Sequence, residues 1–181
     1  MSQVTELLDK ARAGDQAAWT QAVALVYDDL KRIARGVLAG GQGTLNPTAL
    51  VHECYLRLDR AGADAVQNRA HFLALAARAM RQLMLNHARD RLAEKRGGGA
   101  AHTGLDGSAD AVATEARHLI DIDSALTRLE SEHATWVRVV ECRVFAGLTE
   151  QETADALGES LRSTQRLWAE ARARLAVLLA D

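Results

Sequence analysis

The sequence predicts an all-α protein of two small helical domains joined by a flexible linker, and three observations carry that prediction. Apolar residues make up 48% of the chain but aromatic residues only 4%, with a single proline, a composition that suits helical cores better than sheets. Apolar positions recur at helical spacing along both halves. Between them, residues 97–115, GGGAAHTGLDGSADAVATE, hold five glycines and no apolar period, the mark of a linker whose ends as a flexible coil lie roughly 20 to 26 Å apart. The expected units are therefore residues 1–96, a linker at 97–115 and residues 116–181.

Residues 2–13 read as a short helix closed by Gly14. Asp15 can cap a long helix in which Trp19, Val23, Val26, Leu30, Ile33 and Val37 keep one apolar face. The stretch 39–45, AGGQGTL, breaks it. The next start is well specified: Asn46 is the cap, Pro47 occupies the first helical position, and Leu45 is placed to staple onto Leu50. That helix runs to about Arg60, before the polar loop AGADAVQNRA. From about Arg69 to Arg96 a long helix has two faces. Leu73, Ala76, Met80, Leu83, Met84 and His87 gather on one, and Arg78, Arg81, Gln82, Asn86 and Arg89 on the other.

After the linker, Leu119, Ile122, Leu126 and Leu129 form one amphipathic stripe and Trp136, Val139, Val140 and Val144 another. They lead into residues 147–175, GLTEQETADALGESLRSTQRLWAEARARL, which read as a helix-turn-helix. Thr149 and Glu152 make a capping box, Gly158 supplies the turn, and Ser160 can cap the second helix eleven residues after Thr149. So short a turn makes the helices cross steeply. The second then projects and presents Arg162, Gln165 and Arg166 where a major groove could receive them.

Charge is distributed unevenly. Residues 1–96 carry 14 Lys/Arg against 10 Asp/Glu, residues 97–115 carry three acids and no base, and residues 116–181 carry eight bases against 11 acids, for a net charge of -2 overall. Nucleic-acid binding would rest on local cationic faces and not on the net charge.

Other classes are disfavoured. Cys54 and Cys142 lie in apolar helical runs far apart, as buried thiols of a reducing cytoplasm do. No apolar run approaches membrane-span length and the N-terminus lacks a signal-peptide layout, so a cytoplasmic protein is expected. His52–Glu53 would need a histidine at position 56 to resemble a zinc-protease motif, and Leu56 stands there. No metal site, cofactor, phosphate-binding loop or nucleophile is marked, and an enzyme is not expected.

On these stretches the chain resembles bacterial sigma factors of the extracytoplasmic-function (ECF) type, in the sigma-70 superfamily. TALVHECYLRL is similar to the family's polymerase-binding helix, and NRAHFLALAARAMRQLMLNHARDRLAEKRGG to its promoter-melting and minus-ten-reading segment. Residues 125–175 resemble its minus-thirty-five domain, and the order, spacing and linker also match. The resemblance implies no enzyme activity but a specificity subunit of core RNA polymerase. Leu50, Val51, Glu53 and Leu56 would contact the clamp helices of its largest subunit. Asn68, Arg69 and His71, in the loop from Arg60 to His71 that would hold a flipped base, would serve the minus-ten element with Arg78, Arg81, Gln82, Asn86 and Arg89. Arg162, Ser163, Gln165 and Arg166 would read the minus-thirty-five element, with Arg172 near phosphate. An anti-sigma factor is a further implied partner.

Two departures stand out. The polymerase-binding helix begins Asn46, Pro47, Thr48, Ala49, without the acidic run many ECF factors carry before a position such as Glu53. Phosphorylation of Thr48 by a Ser/Thr kinase would restore about -1.5 to -2 charges at that helix N-terminus. In the helix-turn-helix, Glu159 follows the turn glycine where an apolar residue is usual, and Thr153 and Thr164 replace apolar partners. Glu159 either faces solvent or pairs with an arginine such as Arg162. The rival functional readings are a helix-turn-helix regulator acting without polymerase and a helical scaffold.

Overall fold

The computed structural model describes residues 2–38, 46–97 and 107–180. Among these residues every regular element is helical: α1 (Gln3–Arg12), α2 (Gln16–Leu25), α3 (Tyr27–Leu38), α4 (Pro47–Ala61), α5 (Arg69–Gly97), α6 (Gly107–Glu132), α7 (Ala134–Val140), α8 (Glu150–Leu157) and α9 (Leu161–Ala180). A 3-10 turn at Ala63–Ala65 precedes α5, and a π-helical turn at Glu141–Phe145 extends α7.

The helix starts follow local chemistry. The side chains of Ser2, Asp15 and Asn46 accept from the amides of Thr5, Ala18 and Ala49, so each satisfies a backbone donor the helix leaves open. Thr149 and Glu152 form the reciprocal capping box of α8. Gly158, at φ 69°, ψ 29°, adopts the left-handed conformation the tight turn requires, and Ser160 Oγ accepts from the Ser163 amide at 3.1 Å to start α9.

Two boundaries differ from expectation. The long helix expected from Asp15 is interrupted at Val26 (φ -100°, ψ 6°), whose amide donates to Ala22 and Val23 carbonyls. Val26 itself stays buried, so the break re-aims α3 while keeping the apolar face continuous. The C-terminal half also begins earlier: residues 107–115, expected as linker, are the first turns of α6, and Gly97 closes α5. Ala109, Ala111, Ala113 and Glu115 are strong helix formers, a local preference that the glycines at 97–99, 104 and 107 mask in the composition of the stretch. Residues 98–106, and the Leu45 of the expected staple, lie outside the described residues.

The halves are packed together. One core gathers Trp19, Leu30 and Ile33, Leu50 and Cys54, and Phe72, Leu73 and Met80, with Trp19 and Phe72 edge-to-face at 5.7 Å. Cys142, Ala146, Leu148 and Ala156 of the C-terminal half are buried in that same core. A second core holds Leu126, Leu129, Val137, Val140, Ala171 and Leu178, and Phe145 packs against both. Fully burying a side chain such as Leu148 contributes about 1.5 to 3 kcal/mol, so the contact between halves is a true interface. Burial pushes the Cys54 and Cys142 thiols up to about 12, leaving both protonated and unreactive at neutral pH.

Candidate nucleic-acid interface

The capping box, the Gly158 turn and the Ser160 cap set α9 across α8 with one face free. Arg162, Gln165, Arg166 and Arg172 are all exposed there, whereas Thr164, Leu167 and Ala171 turn inward. Ser163 is half-buried beside the cap. Gln165 donates to Glu150 of α8 at 2.7 Å, which orients its amide along the helix pair. Glu159 is exposed, resolving the two alternatives toward solvent. Thr153 and Thr164 are fully buried. Thr153 Oγ1 donates to the Thr149 carbonyl at 2.8 Å, but Thr164 Oγ1 has no partner, so the core of the motif is lean at that point.

The motif is anchored to the N-terminal half as well. Gly147, at φ 64°, brings the backbone so close to Arg32 that a Cβ there would lie 2.9 Å from its guanidinium, and Arg32 donates to the Ala146 carbonyl. Arg143 donates to the Leu148 carbonyl and lies 5.8 Å from the Trp168 ring, tying the π turn to α9.

The polar face of α5, expected to be free, lies against carboxylates of the C-terminal half. Arg81, only 13% exposed, donates to Asp123 of α6 at 2.7 Å and to Glu141 of the π turn at 2.9 Å, and its guanidinium sits 5.8 Å from the Phe145 ring. Arg89 donates to the other oxygen of Asp123 at 2.8 Å. Arg78 lies 3.6 Å from Glu130 and 3.9 Å from Glu141. Gln82 donates to Asn86 along the same face.

At the N-terminal end of α5, Asn68 caps the helix by accepting from the His71 amide and donates to the Asp155 carbonyl of α8. Arg69 bridges Asp29 of α3 and Glu152 of α8. The hydrogen bonds from Thr149 and the Arg69 cation hold the Glu152 carboxyl below its usual range against the opposing effect of burial. His71 Nδ1 accepts from the Gln67 amide. Burial, and then the nearby Arg138, depress its pKa.

Beside this loop a cavity of about 260 Å³ opens between α4, the 3-10 turn and α5, lined by Leu58, Val66 and Leu75 together with Arg57, Arg78 and Gln82. An apolar slot flanked by guanidinium and amide groups has room for a planar heterocycle, with hydrogen-bonding groups near its edge.

The polymerase-facing expectation divides. Leu50 is fully buried and Val51 is 4% exposed, so both serve the core, because helical spacing marks them apolar without saying which side is covered. Glu53 and Leu56 are exposed on α4, and Thr48 is exposed in its first turn. Sequence reasoning missed Asp123, Glu130 and Glu141. The seven-residue spacing of Asp123 and Glu130 on one helix was the available signal for an acidic stripe.

These features define an all-α helix-turn-helix protein with a solvent-facing second helix, α9, and a further cationic helix, α5, held against acids. A model of the family described as ECF sigma factor matches residues 1–181, and the chain belongs to that family. A search among curated proteins returns no match. Members of the family associate with RNA polymerase and direct promoter-specific transcription initiation, a task without catalysis of their own; they act in the cytoplasm on promoter DNA, typically under anti-sigma control. Among the described residues no helix is long and apolar enough to cross a membrane, and no cluster of three or more His, Cys, Asp or Glu side chains could hold a metal ion.

Proposed function

We propose that this chain divides the work of promoter recognition between its halves. Residues 116–181 read the minus-thirty-five element through Arg162, Ser163, Gln165 and Arg166, with Arg172 on phosphate. Residues 1–96 bind core polymerase and open the minus-ten element, and residues 97–115 include the connection that lets the halves separate. The exposed cationic face of α9 is the observation that carries this reading. Bidentate arginine contacts to guanine give about 1 to 3 kcal/mol of discrimination each.

On α4 the available polymerase contacts are Glu53 and Leu56, since Leu50 and Val51 are occupied in the core. The cavity beside the 3-10 turn would take a base extruded from the non-template strand. Extrusion costs a few kcal/mol, which apolar walls and the flanking Arg57 and Arg78 offset. Along α5, Arg78, Arg81, Gln82, Asn86 and Arg89 would follow the opening duplex once parted from their acidic partners. The exposed Thr48 sits where a phosphate would be favoured by the helix dipole, which supports a Ser/Thr kinase as a secondary proposal beside an anti-sigma factor.

Transcription in vitro tests the proposal. Core polymerase with this chain on genomic DNA should give discrete start sites absent with core alone. No change in start sites on adding the chain would contradict it.

A further inference from the structure

We infer that the acidic face of the C-terminal half acts as an internal substitute for the DNA backbone, holding the cations of α5 in a closed, autoinhibited arrangement that must open before the minus-ten element is engaged. The inference rests on the reading of α5 as the promoter-opening helix.

The geometry supports competition for the same donors. Arg81 spends both terminal nitrogens on carboxylates, Asp123 and Glu141, and its Nε is buried without a partner. Arg89 shares Asp123, and Arg78 lies within reach of Glu130 and Glu141. None of these arginines can give those nitrogens to a phosphate without leaving its present partner. The carboxylates come from α6 and the π turn, two separate elements that converge on one face of α5. Apolar contacts of Cys142, Ala146, Leu148 and Ala156 with the N-terminal core hold them there.

Closure is selective. Arg162 and Arg166 of α9 and Glu53 and Leu56 of α4 remain exposed, so duplex reading and polymerase docking stay available while the opening helix is withheld. A free chain in this state would avoid capturing single-stranded nucleic acid before polymerase arrives.

The test uses the full chain and a fluorescent, mixed-sequence single-stranded DNA oligonucleotide, with affinity read by anisotropy at fixed salt. Asp123→Asn with Glu130→Gln should tighten binding tenfold or more. The control pair Glu6→Gln with Asp28→Asn, which changes net charge equally at exposed positions away from these contacts, should shift it by no more than about twofold. X-ray scattering of the wild type should give a radius of gyration near the roughly 16 Å of a compact chain of this length, and the Asp123/Glu130 variant a larger one. Equal affinities for variant and control, or an unchanged radius in the variant, would overturn the inference. If the double substitution lowers helical circular dichroism, Asp123→Asn alone, which frees Arg89 and one arm of Arg81, is read by the same criteria. Chain-dependent transcription with unchanged oligonucleotide affinity would overturn closure alone. Loss of chain dependence in transcription would instead overturn the sigma-factor division of labour.

Discussion

Arg81 and Glu141, 60 positions apart in sequence, meet at 2.9 Å across the boundary between the two halves, with Glu141 almost wholly buried. The pair sits where the long helix of the N-terminal half crosses the π turn that leads into the helix-turn-helix. One carboxylate thus links the proposed opening helix to the motif proposed to read the upstream element. A π turn, which shifts the hydrogen-bonding register of its helix, suits a position where a side chain must be re-aimed.

Removing that carboxylate should be costly. Glu141→Ala leaves Arg81 partly desolvated with Asp123 as its remaining anionic partner among the described residues, and urea unfolding should show a loss of roughly 3 kcal/mol. Glu141→Gln, which keeps an acceptor, should lose less. A loss below about 1 kcal/mol for the alanine variant would mean that solvent reaches the pair freely.

The buried hydroxyl of Thr164 predicts the opposite sign. It has no hydrogen-bond partner in a fully buried site, so Thr164→Val should stabilise the chain by about 1 kcal/mol. Glu159→Val, at an exposed position, should change stability by no more than about 0.5 kcal/mol. Thermal melts of the two variants side by side check both, and a larger gain from Glu159→Val than from Thr164→Val would mean that Glu159, not Thr164, faces the core of the motif.

Acid should loosen the fold in two stages. His71 has a folded-state pKa below its ordinary 6.5 because of burial and the Arg138 charge. The unfolded chain therefore takes up its proton first, and stability falls as pH drops below about 6.5 toward the depressed folded value. Glu152, also depressed, keeps its contribution above the ordinary 4.5 and loses it as pH falls through its lower folded value. Melting temperature should therefore decline as pH falls from about 7 to below the ordinary histidine value of 6.5, and His71→Gln should flatten that first decline. A melting temperature rising over this interval would contradict the sign.

The exposed face of α9 should separate function from stability. Arg162→Ala and Arg166→Ala remove exposed side chains, so unfolding should shift by no more than about 0.5 kcal/mol. Promoter-directed transcription should fall by about tenfold or more for each arginine that reads a guanine. Full activity in both variants would place the upstream contact elsewhere.

Much of this arrangement was legible where local chemistry decides it. Asn46 before Pro47 set the start of α4. Thr149, Glu152, Gly158 and Ser160 set the helix-turn-helix, because caps and left-handed turns are fixed within a few residues. The break at Val26 was not legible, since LVYDD contains neither glycine nor proline and the apolar period runs through it. Periodicity showed that Leu50 and Val51 were apolar but could not assign them to core or partner. It likewise showed that Arg78, Arg81 and Arg89 share a face without showing that Asp123, Glu130 and Glu141 would cover it. Which surfaces meet depends on contacts between residues far apart in sequence, and a one-dimensional pattern does not carry that information.

Permanganate footprinting of a promoter identified by start-site mapping tests the central claim most directly, because it reports unpaired thymines where α5 is proposed to act. With core polymerase and wild-type chain, thymines around the minus-ten element should become reactive. With Arg78→Ala and Arg89→Ala combined, both positions being substantially exposed and paired with acids at the interface between halves, reactivity should fall severalfold or more while the chain still co-purifies with polymerase. Undiminished thymine reactivity in that variant would contradict the assignment of α5 as the helix that opens the promoter.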